Sequence, residues 1–268
     1  MTPRAVPILG ETAHGAQRGA RLTPVAPAVK PPAERLYGRR TGHPLRPRQR
    51  RLLDFTLPRL RFPLSHAADP AAAFPGRPAR LWFEVGFGGG EHAKALAEAH
   101  PDAGLIACEV FENGLCSLLA RLVPEGGEEN APLPANLRLW DGDARALLRA
   151  LPDACLDRVF LLFPDPWPKA RHAKRRFVHP EQVPLVARVL RPGGEWRVAT
   201  DDPTHQAWVS EVMGAQSAFD APAPARSRPE GWPPTRYEAK ALAAGRTPLY
   251  WRFTRRSSPS TTTGSGAG

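Results

Sequence analysis

Apolar positions follow two alternating patterns from residue 80 to the C-terminal region. Short apolar runs predict buried strands, and they lie at 81–85, 104–108, 137–140, 156–163 and 195–199. Segments with helical spacing of apolar positions follow these runs, at 91–99, 111–122, 144–151, 180–190 and 203–213. The run 249–254 alternates apolar and polar residues, which indicates an edge strand. Repeated strand–helix units predict an α/β fold, with a mostly parallel, doubly wound sheet and an antiparallel C-terminal edge.

The chain before this region has a different composition. Residues 1–33 are rich in Ala, Pro, Arg and Gly without an apolar period, and we predict a disordered extension there. Residues 34–80 form a basic segment, in which 49–60 has the apolar spacing of an amphipathic helix and 63–80 is typical of a Pro/Ala linker. The main domain is then expected at 81–256, and a flexible Ser/Thr/Gly tail at 257–268.

Composition limits the class of protein. Hydrophobic residues make up 42% and charged residues 24% of the chain, as in globular proteins. No apolar run approaches the roughly 20 residues that span a bilayer, and the N-terminus lacks the apolar core of a secretory signal. The three cysteines fit no zinc-binding spacing, so we expect no metal site and a reducing, cytoplasmic location.

The net charge of +11 lies entirely in the N-terminal region. Residues 1–80 contain 15 Lys or Arg and 4 Asp or Glu, whereas residues 81–268 contain 22 of each. A basic arm on a neutral domain is typical of nucleic-acid binding by counterion release. For residues 1–33 the alternative is compositional bias in a disordered tail, which we favour there.

A polar residue or a glycine follows each of the five parallel strands. These are the glycines of 86–90, Glu109, Asp143, Asp165 and Asp201. Ligands of such sheets bind at the carboxyl ends of the strands. We therefore expect these residues to surround one ligand site.

The first of these loops predicts an adenosyl cofactor. A glycine-rich turn followed by an acid at the end of the next strand is typical of adenine nucleoside sites. Glu91 stands where the dinucleotide fingerprint requires its third glycine, so S-adenosylmethionine fits the pattern better than a dinucleotide. Glu84, Glu109 and Asp143 strengthen this interpretation, although Asp143 also fits the N-cap of the following helix.

The stretch 160–177 combines a strand end, three prolines and a basic cluster. Phe163, Asp165 and Trp167 each precede a proline, which predicts extended conformations and a rigid loop. Asp165 is the candidate active-site acid, with a structural turn aspartate as the alternative. Trp167 fits stacking on a base, or else a core position. The basic residues predict a phosphate track or, taken alone, a solvated face; they are Lys169, Arg171, His172, Lys174, Arg175 and Arg176.

Four segments resemble the signatures of the bacterial tRNA (guanine-N7-)-methyltransferases, in the same order. They are 83–92 (FEVGFGGGEH), 163–177 (FPDPWPKARHAKRRF), 200–202 (TDD) and 235–238 (TRYE). The resemblance covers about residues 35–255. It implies a Rossmann-like class I methyltransferase fold. It also implies methyl transfer from S-adenosylmethionine to guanine N7 in the tRNA variable loop.

The resemblance also implies roles for individual residues. The cofactor-binding positions are Glu84, Gly86, Gly88, Glu109, Asp143 and Asp165, and Asp165 is also the catalytic position. The substrate-binding positions are Lys169, Asp201, Thr235, Arg236, Tyr237 and Glu238. The tRNA-contacting positions are Arg171, His172, Lys174, Arg175 and Arg176, to which we add Arg39 and Arg40 of the basic arm.

Guanine N7 has a free lone pair, so no general base is required. We therefore expect Asp165 to orient the base through its N–H groups and to favour the developing positive charge. The alternatives are a methyltransferase acting on another RNA or on a protein, and a non-catalytic RNA-binding protein. The sequence leaves open whether the protein is a monomer or a homodimer. It also leaves open which tRNAs are preferred, and whether Trp167 or Tyr237 contacts the base.

Overall fold

The computed structural model describes residues 40–257. Its strands are β1 (Arg80–Val85), β2 (Ala103–Cys108), β3 (Leu137–Trp140), β4 (Leu156–Leu162), β5 (Leu190–Thr200), β6 (Phe219–Asp220) and β7 (Leu249–Arg255). They form a seven-stranded sheet in the order β3-β2-β1-β4-β5-β7-β6. The first five strands are parallel, and β7 runs antiparallel to β5 and β6. The predicted fold class is confirmed, including its antiparallel edge.

The helices are α1 (Pro47–Arg51), α2 (Leu57–Leu60), α3 (Glu91–Ala99), α4 (Glu112–Leu122), α5 (Ala144–Ala150), α6 (Val183–Val189), α7 (Pro203–Gly214) and α8 (Arg236–Ala243). A π-helical stretch, Leu52–Thr56, joins α1 to α2, so the helix predicted at 49–60 is present. The largest differences from the predicted boundaries lie at β5, which begins before its turn at 191–194, and at α6, which begins at Val183. The sequence patterns did not predict α8 or the two-residue β6.

Successive side chains along each strand point to opposite faces of the sheet. The buried ones form two hydrophobic clusters, one on each face. On β1, Phe83 belongs to one cluster, which also includes buried residues of α5, α6 and α7. Its neighbour Trp82 belongs to the other, which includes residues of α3 and α4. Both faces of the central strands are therefore covered, and the polar residues that follow the strands lie at the edge of the sheet.

The basic N-terminal segment packs onto this domain. Leu52 and Leu60 are buried in the cluster that contains Trp82. Arg48 donates to the buried carboxylate of Glu128 at 3.0 Å, which fixes the segment to the loop before β3. Phe74, in the stretch predicted as a linker, is buried in the core beside Phe83.

The predicted extension 1–33 lies outside the described residues, as does the tail after residue 257. Among residues 40–257 no helix combines the length and the apolar character that crossing a membrane requires.

Candidate active site

A cavity of about 470 Å³ opens at the carboxyl ends of the parallel strands. Gly86 and Gly88 follow β1, Glu109 follows β2, Asp143 follows β3 and Asp165 follows β4, and all five line it. The structure therefore brings most of the predicted cofactor-binding residues together. Phe111, Arg145, Phe163, Trp167, Arg175 and Tyr237 are further lining residues.

Gly88 allows close approach of three chain segments. Its φ of 58° lies in the left-handed region that favours glycine. A Cβ at this position would lie 2.9 Å from the ring of Tyr237, and a Cβ on Gly114 would lie 2.6 Å from the Gly88 carbonyl oxygen. The glycine loop is therefore packed between α4 and α8, and its backbone is exposed to the cavity.

The carboxylate of Glu109 bridges the loops that follow β1 and β2. One oxygen of its carboxylate accepts from the Gly88 N–H at 2.7 Å. The other accepts from the N–H groups of Val110 and Phe111 at 2.8 and 3.0 Å. Burial raises the pKa of Glu109, and the charge of Asp165 adds to this, whereas the three N–H donors lower it. The carboxylate is thus held in place at the cavity wall.

Asp143 serves two functions with its two oxygens. Oδ1 accepts from the Arg145 N–H at 2.9 Å and caps the N-terminus of α5. Oδ2 is buried, lies at the cavity and has no hydrogen-bond partner among the described residues. A buried carboxylate oxygen without a partner costs free energy, and a donor entering the cavity could offset that cost.

Glu84 is placed differently from the other predicted cofactor-binding acids. It is 3% exposed and does not line the cavity. Its Oε1 lies 3.0 Å from Nδ1 of His92 on α3, and its Oε2 is buried without a partner among the described residues. The structure thus places Glu84 behind the glycine loop, bound to His92.

The loop that carries Asp165 has a strained backbone. Phe163 and Trp167, on either side of Asp165, have φ values of 51° and 45°. The prediction that these two residues are extended is therefore wrong, because the preference of a residue before proline is overridden by the surrounding contacts. Left-handed backbone at non-glycine residues costs on the order of 1–3 kcal/mol each.

Arg176 supplies contacts that hold this loop. Its guanidinium donates to the carbonyl oxygens of Pro166 at 3.2 Å and Trp167 at 2.9 Å, and it lies over the ring of Trp208 at 4.8 Å. Arg176 is 5% exposed. Arg176 thus differs from the other predicted tRNA contacts in being buried, with its guanidinium bonded to two carbonyl oxygens.

The rest of the basic cluster follows the Asp165 loop along the chain. Lys169, Arg171 and Lys174 are exposed, in and beside the 3₁₀ turn Ala170–Arg175. Arg175 lines the cavity, and its guanidinium lies 4.7 Å from the ring of Trp167. Partial burial and the charges of Arg175, Arg171 and Lys169 lower the pKa of His172. The cluster is therefore a concentrated positive surface next to Asp165.

The other predicted tRNA contacts lie in the basic arm. Arg40 is exposed, and its carbonyl oxygen accepts from the Glu112 N–H at the start of α4, at 2.9 Å. Arg39 lies outside the described residues.

A second cavity of about 340 Å³ adjoins the first. Phe163, Pro164, Asp165 and Tyr237 line both cavities. Asp201, Asp202, Lys240 and Arg246 line only the second. Asp201, a predicted substrate-binding residue, thus lines the same cavity as the Asp165 loop.

The motif 235–238 begins helix α8. Thr235 and Glu238 form a capping box, in which Thr235 Oγ1 accepts from the Glu238 N–H at 3.0 Å. The Glu238 carboxylate is 6% exposed and accepts from Tyr250 at 2.7 Å and Arg228 at 3.1 Å. Burial and the Glu238 hydrogen bond raise the pKa of Tyr250. The polar groups of Thr235 and Glu238, which were predicted to contact substrate, thus make the contacts that build and anchor α8.

The capping box places Tyr237 at the two cavities. Its ring is 40% exposed and lines both, and the guanidinium of Arg236 lies 5.3 Å from the ring centroid. Lys240 and Arg246 also face the second cavity, and sequence reasoning missed them. The T-x-x-E signature of a capping box predicts a helix start at Thr235, which would have placed Lys240 one turn after Tyr237.

Comparisons with known proteins agree with this geometry. The family model described as "Putative methyltransferase" matches residues 78–250. The chain is 68% identical over 229 residues to the tRNA (guanine-N(7)-)-methyltransferase of Granulibacter bethesdensis, covering 85% of this chain and 98% of that protein. It is 48% identical over 231 residues to the Rhodospirillum rubrum protein of the same name, covering 83% of this chain and 88% of that protein. The crystal structure of the 16S rRNA methyltransferase KamB superposes with a TM-score of 0.50 at 17% identity, covering 67% of this chain and 89% of that one, which shows a shared fold.

Proposed function

The chain belongs to the tRNA (guanine-N7-)-methyltransferase family, and from this we propose that it methylates N7 of a guanine in the variable loop of tRNA. One observation carries the proposal beyond family membership. Asp165 lines two adjoining cavities, one with the acids that suit an adenosyl group and one lined by the cations Lys240 and Arg246. A methyl donor and a base acceptor can therefore meet beside the same carboxylate.

S-adenosyl-L-methionine is the cofactor of this enzyme, and the first cavity fits it. The unpartnered Oδ2 of Asp143 is suited to accept from the adenine amino group, and Glu109 from ribose hydroxyls. Gly86 and Gly88 leave room for the backbone to approach the ligand. When bound, the cofactor supplies an electrophilic methyl group on a cationic sulfur.

Asp165 positions the base in the proposed reaction. Guanine N7 presents a free lone pair, whereas N1–H and N2–H are donors on the opposite edge. The exposed carboxylate of Asp165 accepts from these donors and so directs N7 towards the first cavity. Its negative charge stabilises the positive charge that develops on the purine as N7 is methylated. Proton abstraction is not required of it.

The exposed basic residues bind the tRNA backbone in this proposal. Lys169, Arg171 and Lys174 are exposed and do not line the first cavity, whereas Arg175 lines it and lies over the ring of Trp167. Trp167 and Tyr237 both line the cofactor cavity, so the choice between them as the stacking partner of the base stays open. A cytoplasmic location, where tRNA and the cofactor are both present, is part of the proposal.

Labelled methyl transfer to unmodified tRNA tests the proposed function. The labelled product is then cleaved chemically at N7-methylguanosine to map the modified base. We expect label at one variable-loop guanine. Label on ribosomal RNA, on protein or at another tRNA base would contradict the proposal, as would cofactor binding without transfer to any tRNA.

A further inference from the structure

The second cavity has a cationic wall that the proposed reaction does not yet use. Lys240 on α8 and Arg246 in the loop between α8 and β7 line this wall, and both are exposed. Asp165 and Asp201 line the same cavity. A site that receives one nucleotide of a polyanion needs a group for its phosphate, and these cations are next to the base-positioning carboxylate.

The cationic wall is held by backbone contacts. The Arg246 N–H donates to the Ala241 carbonyl oxygen at 2.9 Å, which ties the loop to the end of α8. The side chain of Gln206 on α7 donates to the next carbonyl oxygen, that of Thr247, at 2.9 Å. Lys240 lies three residues after Tyr237, and its Nζ is 5.9 Å from the centroid of that ring. The two cations are thus fixed relative to a ring that lines both cavities.

Arg246 has an exchangeable partner. Its Nε lies 2.5 Å from Oδ2 of Asp201, and the Arg246 side chain is 50% exposed. Ion pairs with this exposure contribute roughly 0–1 kcal/mol, so an incoming anion competes with Asp201 at little cost. A phosphate offers the guanidinium two parallel hydrogen bonds, which strengthens the contact.

We propose that Lys240 and Arg246 bind the backbone phosphate of the nucleotide whose guanine enters the second cavity. Arg246 leaves Asp201 for that phosphate, and the Asp201 carboxylate then accepts hydrogen bonds from the same nucleotide. This inference rests on the proposed function, because it takes tRNA as the polyanion.

The test compares Arg246→Ala and Lys240→Ala with a matched control. Arg256 at the end of β7 forms a similar exposed pair, with Nε 2.6 Å from Asp220 Oδ1 and 53% exposure, but it does not line either cavity. The dissociation constant for unmodified tRNA is measured over a series of salt concentrations. The dissociation constant for S-adenosylmethionine is measured at a single salt concentration. Thermal melts confirm that each variant is folded, and Arg246→Gln replaces Arg246→Ala if the alanine variant does not fold.

Each cavity variant should weaken tRNA binding about fivefold to tenfold and reduce the salt slope by about one. Cofactor affinity should stay within about twofold, and Arg256→Ala should match the wild type. Wild-type tRNA affinity and slope in both cavity variants would overturn the inference, as would an equal loss in Arg256→Ala. Failure of the wild type to methylate tRNA would instead reject the proposed function, so the two failures are distinguishable.

Discussion

The guanidinium of Arg176 donates to the Trp167 carbonyl oxygen at 2.9 Å, and this bond closes the loop that carries Asp165. A second bond, to the Pro166 carbonyl oxygen at 3.2 Å, fixes the same peptide region. The left-handed backbone at Trp167 is maintained against its intrinsic preference by such contacts. We therefore expect Arg176 to be a positioning residue, which affects the reaction through the loop.

Arg176→Lys tests this role. Lysine keeps the charge but cannot make the two-pronged contact, so Asp165 should lose its position. We expect kcat to fall roughly tenfold to 100-fold, because small misplacements of a catalytic group are costly. The cofactor dissociation constant should stay within about twofold. Steady-state kinetics with tRNA and a direct binding assay provide both quantities.

Arg197→Lys is the matched control for burial. Arg197 is 6% exposed and lies over the ring of Trp232 at 5.1 Å, away from the Asp165 loop. Both variants should lower the melting temperature, but only Arg176→Lys should lower kcat when assayed well below either melting temperature. Equal kcat values in the two variants would assign Arg176 to stability alone.

Asp165→Asn tests the proposed chemistry. An amide keeps the shape but loses the negative charge and one acceptor, so guanine is held and stabilised less well. We expect kcat to fall roughly 100- to 1,000-fold, the loss seen when one electrostatic group of a transition state is removed. Cofactor affinity should change little, because Glu109 and Asp143 remain. A rate near that of the wild type would reject the role of Asp165.

The strand ends of this site were predictable from sequence for a physical reason. Apolar runs such as 104–108 are bounded by polar or glycine residues, and parallel strands must present their carboxyl ends at one edge. Glu109, Asp143 and Asp165 therefore came together as expected. Local pattern and global topology agree at these positions.

The structure differs from the sequence-based predictions where a long-range contact overrides a local sequence pattern. Phe163 and Trp167 adopt positive φ although each precedes proline. Arg176 belongs to a run of basic residues, and no local signal separates it from exposed Arg171 before the fold buries it. Glu84 has the sequence position of a cofactor ligand, but its contact with His92 depends on how α3 packs against β1.

Two substitutions can distinguish the roles of the two Asp143 carboxylate oxygens. In Asp143→Asn the remaining oxygen can still cap α5, since Asn and Asp are similar N-caps. The cavity then receives an amide donor in place of Oδ2. Asp143→Ala removes both functions. We expect both variants to weaken cofactor binding roughly tenfold, as when a buried acceptor is lost.

Only Asp143→Ala should also lower the free energy of unfolding, by about 1 kcal/mol. Calorimetric titration with S-adenosylmethionine and urea unfolding measure the two effects. Wild-type cofactor affinity in Asp143→Asn would show that Oδ2 does not face the ligand.

His205 makes stability sensitive to acid. It is fully buried, and both ring nitrogens lack hydrogen-bond partners among the described residues. Burial and the charge of Arg176, opposed by Asp202, lower its pKa from 6.5 to about 4. The unfolded chain therefore binds a proton at higher pH than the folded protein does. The contribution of His205 to the free energy of unfolding is fully present above its unfolded pKa of 6.5. This contribution is lost as the pH falls from 6.5 through the folded pKa of about 4.

The full loss from this group amounts to roughly 3 kcal/mol. His205→Leu removes the titration at similar volume, so the free energy of unfolding should fall less steeply with acid than in the wild type. Urea unfolding over a pH series measures this, with exposed His43→Leu as the control that keeps the wild-type profile. Parallel acid profiles for His205→Leu and the wild type would show that the acid sensitivity comes from other groups. A flatter profile for His205→Leu would assign the acid sensitivity to His205.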